Sequence, residues 1–155
     1  MQPRIKSPAM TVPGAFEALM ALAKAVEKCG VPRATLELMN LRASKINGCC
    51  VCLDLHSRAL KKIGEKDERS FAVAAWREAP YYSDAKRAAL ALTEAATRLN
   101  DRADPVPEEI WREAAKHYDE RALGALVMSI GLINLWNRLN AATRQVGGEW
   151  TAQYA

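Results

Sequence analysis

Residues 47–56 read NGCCVCLDLH. The Asn47-Gly48 pair is a typical turn, and apolar residues recur at helical spacing after it until Gly64. One helix is therefore predicted to end at this turn and another to begin at Cys49. Helical periodicity continues through nearly the whole chain, whereas alternation of β-branched with polar residues is scarce. The sequence predicts an all-α fold.

Capping and turn residues divide the chain into six or seven helices of one domain, residues 1–155. The predicted helices run from about Pro13 to Cys29, Pro32 to Asn47, Cys49 to Ile63, Glu68 to Trp76, Ser83 to Leu99, Pro107 to Tyr118, and Glu120 to Thr143. We expect a core of about residues 13–144. The C-terminal tail, 145–155, contains Trp150 and Tyr154, which need a surface to cover them. A neighbouring subunit is the predicted surface.

Composition restricts the partners and the compartment. The 22 basic residues are interspersed with 18 acidic ones, which favours a solvated surface and argues against a nucleic-acid partner. The N-terminus lacks the apolar run of a secretory signal, and the longest mostly apolar stretch, Ala15 to Val26, is interrupted by charges. Three of four cysteines lie within four residues, which suits redox or metal chemistry in a reducing compartment. We expect a cytoplasmic protein with no membrane partner.

Two thiols and a titratable base share one face of the predicted cysteine helix. Cys49, Cys52 and His56 are spaced by three and four residues, while Cys50 points about a quarter-turn away. A thiol peroxidase needs a thiolate to attack the peroxide, a second thiol to capture the sulfenic acid, and a route for protons. Glu37, on the preceding helix, is the candidate to orient the imidazole. These four residues form the predicted catalytic site.

The same residue types also occur in metal sites and in packed cores. Two Cys, one His and one Glu could form a tetrahedral zinc site, but structural sites usually draw a second pair from a distant segment, and His117 is the only other histidine. His117 is predicted to be a surface or helix-end residue, and Cys29 and Cys50 are predicted to be small buried residues. The three tryptophans outside the tail are predicted core or interface anchors: Trp76, Trp111 and Trp136.

The spacing resembles the signature of the alkylhydroperoxidase D-like branch of the carboxymuconolactone decarboxylase superfamily. Glu37, eleven residues, Cys49-x-x-Cys52, three residues and His56 reproduce that signature without a gap. Residues 76–80 (WREAP) and 134–138 (NLWNR) look like two further family regions, so the resemblance covers about 36–138. It implies a helical subunit in a trimer, a hexamer or another homo-oligomer. It also implies a hydroperoxide substrate and a cysteine disulfide that a thiol/disulfide reductant protein reduces in each cycle. No cofactor is implied: no haem, flavin or metal.

The resemblance assigns peroxide attack to Cys52 and resolution to Cys49. The effect of the helix N-terminus alone favours Cys49 as the thiolate, whereas His56 lies one turn from Cys52 and favours the latter. Val51 stands where some family members carry an additional histidine, which predicts a simpler proton relay and weaker turnover.

The sequence is also compatible with two other functions. A protein disulfide reductase or redox sensor would use the same cysteine pair and differ only in its oxidant and reductant. A decarboxylase-like enzyme of the wider superfamily would leave Cys49 and Cys52 without a role.

Overall fold

The computed structural model describes residues 2–155 and is built from α-helices and short 3-10 helices, with no strand in that range. The all-α prediction is confirmed. The helices are α1 (Pro8–Thr11), α2 (Ala15–Glu27), α3 (Arg33–Asn47), α4 (Cys50–Lys62), α5 (Asp67–Ala72), α6 (Asp84–Thr97), α7 (Glu108–Ala115) and α8 (Glu120–Thr143). Two 3-10 helices, Val73–Ala75 and Glu149–Tyr154, complete the chain.

Helix α3 lies at the centre of the bundle and packs against α4, α6 and α8. It is buried on several faces, so its sequence lacks the one-sided apolar pattern of a surface helix. On one side, leucines such as Leu38 and Leu41 pack with Trp76 and Leu90. On another, α2, α6, α7 and α8 enclose a second apolar cluster around Met39. The central position of α3 fixes the orientation of Glu37.

A buried carboxylate joins three segments beside this core. Glu94 of α6 accepts hydrogen bonds from Arg42 of α3, from the Trp76 indole and from Arg77. Burial alone would raise the pKa of Glu94, but the hydrogen bonds from Arg77, Trp76 and Arg42 outweigh burial and lower it. Trp76 is therefore a core anchor with a satisfied N–H group, as predicted.

Several predicted helix boundaries differ from the structure. The first predicted helix, Pro13 to Cys29, is shorter, because Gly14 has a left-handed backbone and separates α2 from the unpredicted α1. The segment Glu68 to Trp76 is a short α-helix followed by a 3-10 turn. Ser83, the predicted start of the fifth helix, is the N-cap of α6 and accepts a hydrogen bond from the Lys86 N–H.

The C-terminal tail packs on its own chain. Its 3-10 helix, Glu149–Tyr154, contacts α4, and Thr151 is fully buried. Helix α4 thus supplies a surface for part of the tail, and the expectation that a neighbouring subunit covers its aromatic residues stays a prediction. Trp150 and Tyr154 stay about half exposed, at 48% and 49%.

Helix α8 is long and apolar enough to cross a membrane by length and composition. Half of its most apolar stretch is nevertheless buried inside the protein, where it packs on α2, α3 and α6. Such burial is typical of the central helix of a packed domain.

Candidate active site

The turn between α3 and α4 positions the two cysteines. Gly48 ends α3 in a left-handed conformation (φ 66°), which allows the chain to reverse at once. Cys49 is the N-cap of α4, and its sulfur accepts a hydrogen bond from the Cys52 N–H at 3.5 Å. Cys49 thus lies immediately before the helix, not within it as predicted, because its sulfur replaces the usual oxygen of a capping side chain. Cys52 lies in the first turn.

Asparagines of α8 face this turn. The Asn47 side-chain amide donates to Asn134 and Asn137 at 2.9 and 2.8 Å, which ties the end of α3 to α8. One turn further along α8, the Asn140 amide donates to both buried cysteine sulfurs, at 3.7 Å to Cys49 and 3.4 Å to Cys52. These N–H groups stabilise negative charge on sulfur.

The two thiols have opposite acid–base behaviour. The Cys52 thiol donates to the Cys49 sulfur, and together with the Cys52 N–H and the amides of Asn140 and Asn137 this lowers the pKa of Cys49 to about 6 despite its burial. The same hydrogen bond, together with burial and the charge on Cys49, raises the pKa of Cys52. In the reduced protein near neutral pH, Cys49 is therefore the thiolate and Cys52 keeps its proton.

His56 and Glu37 form a hydrogen-bonded pair beside the thiols. His56 Nδ1 lies 2.7 Å from Glu37 Oε2, and both side chains are mostly buried. Because a carboxylate only accepts, Nδ1 carries the proton and Nε2 is left for proton exchange. Arg33 Nε lies 3.7 Å from the other oxygen of Glu37. Glu37 and His56 are thus brought together as predicted from the sequence, and their catalytic role stays a prediction.

A cavity of about 350 Å³ lies over this pair. Cys52, His56, Glu37 and Asn140 all line it, whereas Cys49 is not among the lining residues. The rest of its wall is largely apolar and includes the aromatic side chains of Phe16, Trp136, Trp150 and Tyr154. A molecule in the cavity would therefore meet the sulfur of Cys52 first.

The remaining candidates lie away from this cavity or differ from the prediction. Cys50 is exposed and Cys29 is half-buried, so neither is the buried residue predicted: Cys50 begins α4 on its solvent side, and Cys29 follows the end of α2. His117 lies just after α7 and is exposed, as predicted. Trp111 is a surface residue, and Trp136 lines the cavity.

Metal binding was the main alternative use of these residue types. Across residues 2–155, no group of three or more His, Cys, Asp or Glu side chains converges in a metal-binding arrangement. The imidazole that a zinc ion would need is hydrogen-bonded to Glu37. The metal-free expectation stays a prediction.

Sequence reasoning missed Asn140 and the aromatic wall. Asn140 is 88 residues from Cys52 in sequence, so no local pattern links them. The nearest signal was the NLWNR stretch of α8, which contains Trp136 and ends two residues before Asn140. Trp150 and Tyr154, for which the sequence predicts a subunit contact, line the cavity.

Comparison with known proteins identifies the family. The model of the carboxymuconolactone decarboxylase family matches residues 13–95, which include the helix carrying Glu37 and the cysteine helix. The chain belongs to the carboxymuconolactone decarboxylase family. It is 35% identical to the uncharacterised protein YdfG of Bacillus subtilis over 130 residues, covering 84% of this chain and 87% of YdfG.

Two further matches connect this family member with the alkylhydroperoxidase D (AhpD)-like branch. It is 48% identical to the alkyl hydroperoxide reductase AhpD of a Bradyrhizobium strain over 40 residues, which are 26% of this chain and 22% of that protein. A solved Agrobacterium tumefaciens structure, of unknown function and suggested to be an AhpD-type antioxidant defence protein, superposes with a TM-score of 0.86 at 31% identity. It covers 95% of this chain and 99% of its own. The AhpD-like assignment is confirmed.

The family fold also serves other chemistry. The debrominase Bmp8, solved in complex with 2,3,4-tribromopyrrole, superposes with a TM-score of 0.77 at 21% identity, covering 93% of this chain and 76% of its own. This likeness concerns the fold alone.

Proposed function

We propose that this protein is a thiol peroxidase that reduces hydroperoxides through a Cys49–Cys52 disulfide. The observation that carries the proposal is the convergence of Cys52 and the hydrogen-bonded His56–Glu37 pair on one cavity, with Cys49 directly behind. Membership of the AhpD-like branch points to the same peroxidase-related, antioxidant role.

The proposed reaction begins with proton transfer. As hydroperoxide enters, Cys52 loses its proton towards His56 Nε2, and Glu37 stabilises the imidazolium through Nδ1. The Cys52 thiolate attacks one peroxide oxygen: the S–O bond forms, the O–O bond breaks, and the alkoxide leaves as the alcohol after taking a proton from His56. Cys52 is now a sulfenic acid.

Cys49 completes the cycle because it is already a thiolate. Its low pKa makes it the resolving nucleophile: an S–S bond forms with Cys52, the S–O bond breaks, and hydroxide leaves as water after protonation. One hydroperoxide and two thiols thus give one alcohol, one water and one disulfide. A thiol/disulfide reductant protein then returns two electrons, in a compartment such as the cytoplasm that keeps thiols reduced.

Burial of the pair favours a small oxidant. In the reduced protein Cys49 and Cys52 are 3% and 5% exposed, and the cavity reaches Cys52, so a small hydroperoxide meets this sulfur more readily than a protein disulfide does. This argues for a peroxidase over the alternative, a protein disulfide reductase. A decarboxylase would leave the acid–base difference between the two thiols unused.

Stopped-flow oxidation of serine variants tests the proposal. Peroxide should convert the reduced protein to the Cys49–Cys52 disulfide far faster than it oxidises free cysteine. Cys49→Ser should consume one equivalent and leave a trappable sulfenic acid on Cys52, and Cys52→Ser should barely react. Cys50→Ser, an exposed neighbouring thiol, is the matched control and should behave like the wild type.

Two results would count against the proposal. If Cys52→Ser consumes its equivalent and the sulfenic acid forms on Cys49, the roles of the two cysteines are reversed. If no variant reacts faster than free cysteine, the protein is not a peroxidase.

A further inference from the structure

The cavity mouth is built from aromatic side chains of α2, α8 and the C-terminal tail. Phe16, at the start of α2, contacts Trp136 of α8 edge to face, with ring centroids 6.5 Å apart. It also contacts Tyr154 at 6.3 Å, and Tyr154 contacts Trp150 at 6.1 Å. All four rings line the cavity. They form a continuous aromatic group, here called the aromatic mouth.

The C-terminal half of the aromatic mouth is fixed to the cysteine helix. Asp54, two residues after Cys52, accepts hydrogen bonds from the Thr151 hydroxyl at 2.5 Å and the Gly148 N–H at 3.1 Å. Lys62, at the end of α4, donates to the backbone oxygen of Ala155 at 2.7 Å. Trp150 and Tyr154 are therefore held over the entrance by α4 itself.

The floor and the mouth of the cavity differ in exposure. Buried residues such as Leu36, Val51 and Ile133 form an apolar floor beside Cys52, whereas Trp150 and Tyr154 are about half exposed. Hydrogen peroxide is too small to contact most of this apolar wall. An apolar ring would fill it and meet aromatic edges and faces, which adds to the free energy of burial.

We infer that the substrate is an organic hydroperoxide bearing an apolar ring, which the aromatic mouth selects by enclosing the ring while the peroxide group reaches Cys52. The inference rests on the proposed peroxidase function and adds the substrate class and its specificity residues. Trp150 and Tyr154 act on binding alone, because the acid–base groups lie on α3, α4 and α8. Their loss should reduce ring selectivity.

Two matched hydroperoxides isolate the effect of the ring. Cumene hydroperoxide differs from tert-butyl hydroperoxide by a phenyl group in place of one methyl. We expect the second-order rate constant for oxidation of the reduced wild type to be at least about tenfold higher for cumene hydroperoxide. In Tyr154→Ala and Trp150→Ala that ratio should fall to within about twofold of one.

Two control variants separate selectivity from stability. Tyr154→Phe keeps the ring and should keep the cumene preference. Phe71→Ala removes an exposed ring of α5, outside the cavity, and should change neither ratio nor rate. A wild-type ratio near one, or a ratio unchanged in both alanine variants, would overturn the inference.

A binding measurement distinguishes this inference from the proposed function. Calorimetry with cumyl alcohol, the reduction product, should give binding that Tyr154→Ala weakens, with tert-butanol as the comparison. If no hydroperoxide oxidises the thiols but cumyl alcohol still binds in a Tyr154-dependent way, the peroxidase proposal fails and ring recognition stands. If cumyl alcohol binds no better than tert-butanol, ring recognition fails even where peroxide reacts.

Discussion

Two sulfurs one helical turn apart divide the work of the site because their surroundings differ. Cys49 caps α4 and accepts hydrogen bonds from the Cys52 N–H and the Asn140 amide, which stabilise its charge. Cys52 faces the cavity and keeps its proton while Cys49 is charged. The more acidic thiol is therefore not the one nearest the substrate. A proton acceptor at the cavity, His56, is needed for the accessible sulfur to react.

A thiolate titration tests this division. The folded-state pKa of Cys49 is lowered from 9.0 to about 6, so its thiolate should form as pH rises through about 6 and be lost as pH falls below it. Thiolate absorbance near 240 nm should rise by about one equivalent in this range. Cys49→Ser should abolish the step and Cys50→Ser should retain it. A step that survives in Cys49→Ser would assign the low pKa to another group.

Glu37 is expected to act through His56. Glu37→Gln keeps the shape of the side chain but removes the charge that stabilises the imidazolium, so peroxide reduction should slow by roughly tenfold to a hundredfold. The pH profile of the rate should shift as well, which loss of a purely structural contact would not cause. Glu27→Gln, on α2, tests a second carboxylate at the cavity wall and should have little effect. Unchanged kinetics in Glu37→Gln would make Glu37 an ordinary helix residue.

At the scale of the elements, helix α4 connects the cysteine pair to the C-terminal segment. Asp54 receives hydrogen bonds from Thr151 and Gly148, and an ion pair with Arg58 adds to them. The Thr151 hydrogen bond is the largest influence on the pKa of Asp54 and, together with Arg58 and the Gly148 N–H, it outweighs burial and lowers that pKa. The attachment should therefore persist at neutral pH and weaken only in acid, as the Asp54 carboxylate takes up a proton.

Asp54→Ala should release this attachment. It removes the charged acceptor of the Thr151 hydroxyl and the Gly148 N–H, while the hydroxyl keeps the Gly148 carbonyl as an acceptor, and this loss costs about 1.5–3 kcal/mol of unfolding free energy. Urea denaturation should show that loss, and amide hydrogen exchange in 149–154 should accelerate more than exchange in α3. Glu68→Ala, at an exposed site of α5, should leave both unchanged. If amide exchange in 149–154 is as slow in Asp54→Ala as in the wild type, other contacts hold the segment.

Local sequence patterns predicted the elements better than their contacts. Glu37, Cys49, Cys52 and His56 lie on two consecutive helices joined by one tight turn, so their spacing alone places them near one another. Asn140 and Tyr154 reach the site from α8 and the tail, far along the chain. Their positions depend on how the bundle closes, which residue spacing does not encode. The short α1 and the 3-10 helices lack a repeating apolar pattern and were missed or merged for that reason.

At the scale of the whole molecule, assembly into a homo-oligomer remains a prediction. The exposed side of α8 supports it more directly than the tail does. Val127, Met128 and Leu135 are exposed along one side of this helix, and a Cβ added at Gly124 or Gly131 there would meet open space. A helix face that combines exposed apolar side chains with glycines, which have no side chain, allows a second copy of the protein to approach closely.

Light scattering with elemental analysis tests this expectation. The purified protein should have the mass of a homo-oligomer, such as a trimer or hexamer, and contain no stoichiometric zinc. Val127→Glu places a charge on the exposed side of α8 and should shift the mass towards the monomer, while Leu99→Glu, at an exposed site after α6, should not. A monomeric wild type would refute the assembly, and stoichiometric zinc that protects the thiols would refute the redox interpretation.

Gly147 lies where the tail meets α4, and the space there restricts which residues related sequences can have at this position. A Cβ added there would lie 3.0 Å from the Cys50 sulfur and 3.1 Å from the Cys50 carbonyl oxygen, closer than side chains normally approach. Because one of these atoms belongs to the backbone, no replacement of Cys50 relieves the crowding. Related sequences with the same aromatic tail should therefore retain glycine at this position while position 50 varies. Lineages that lost this glycine should have moved the tail off α4 and diverged in the molecules they accept.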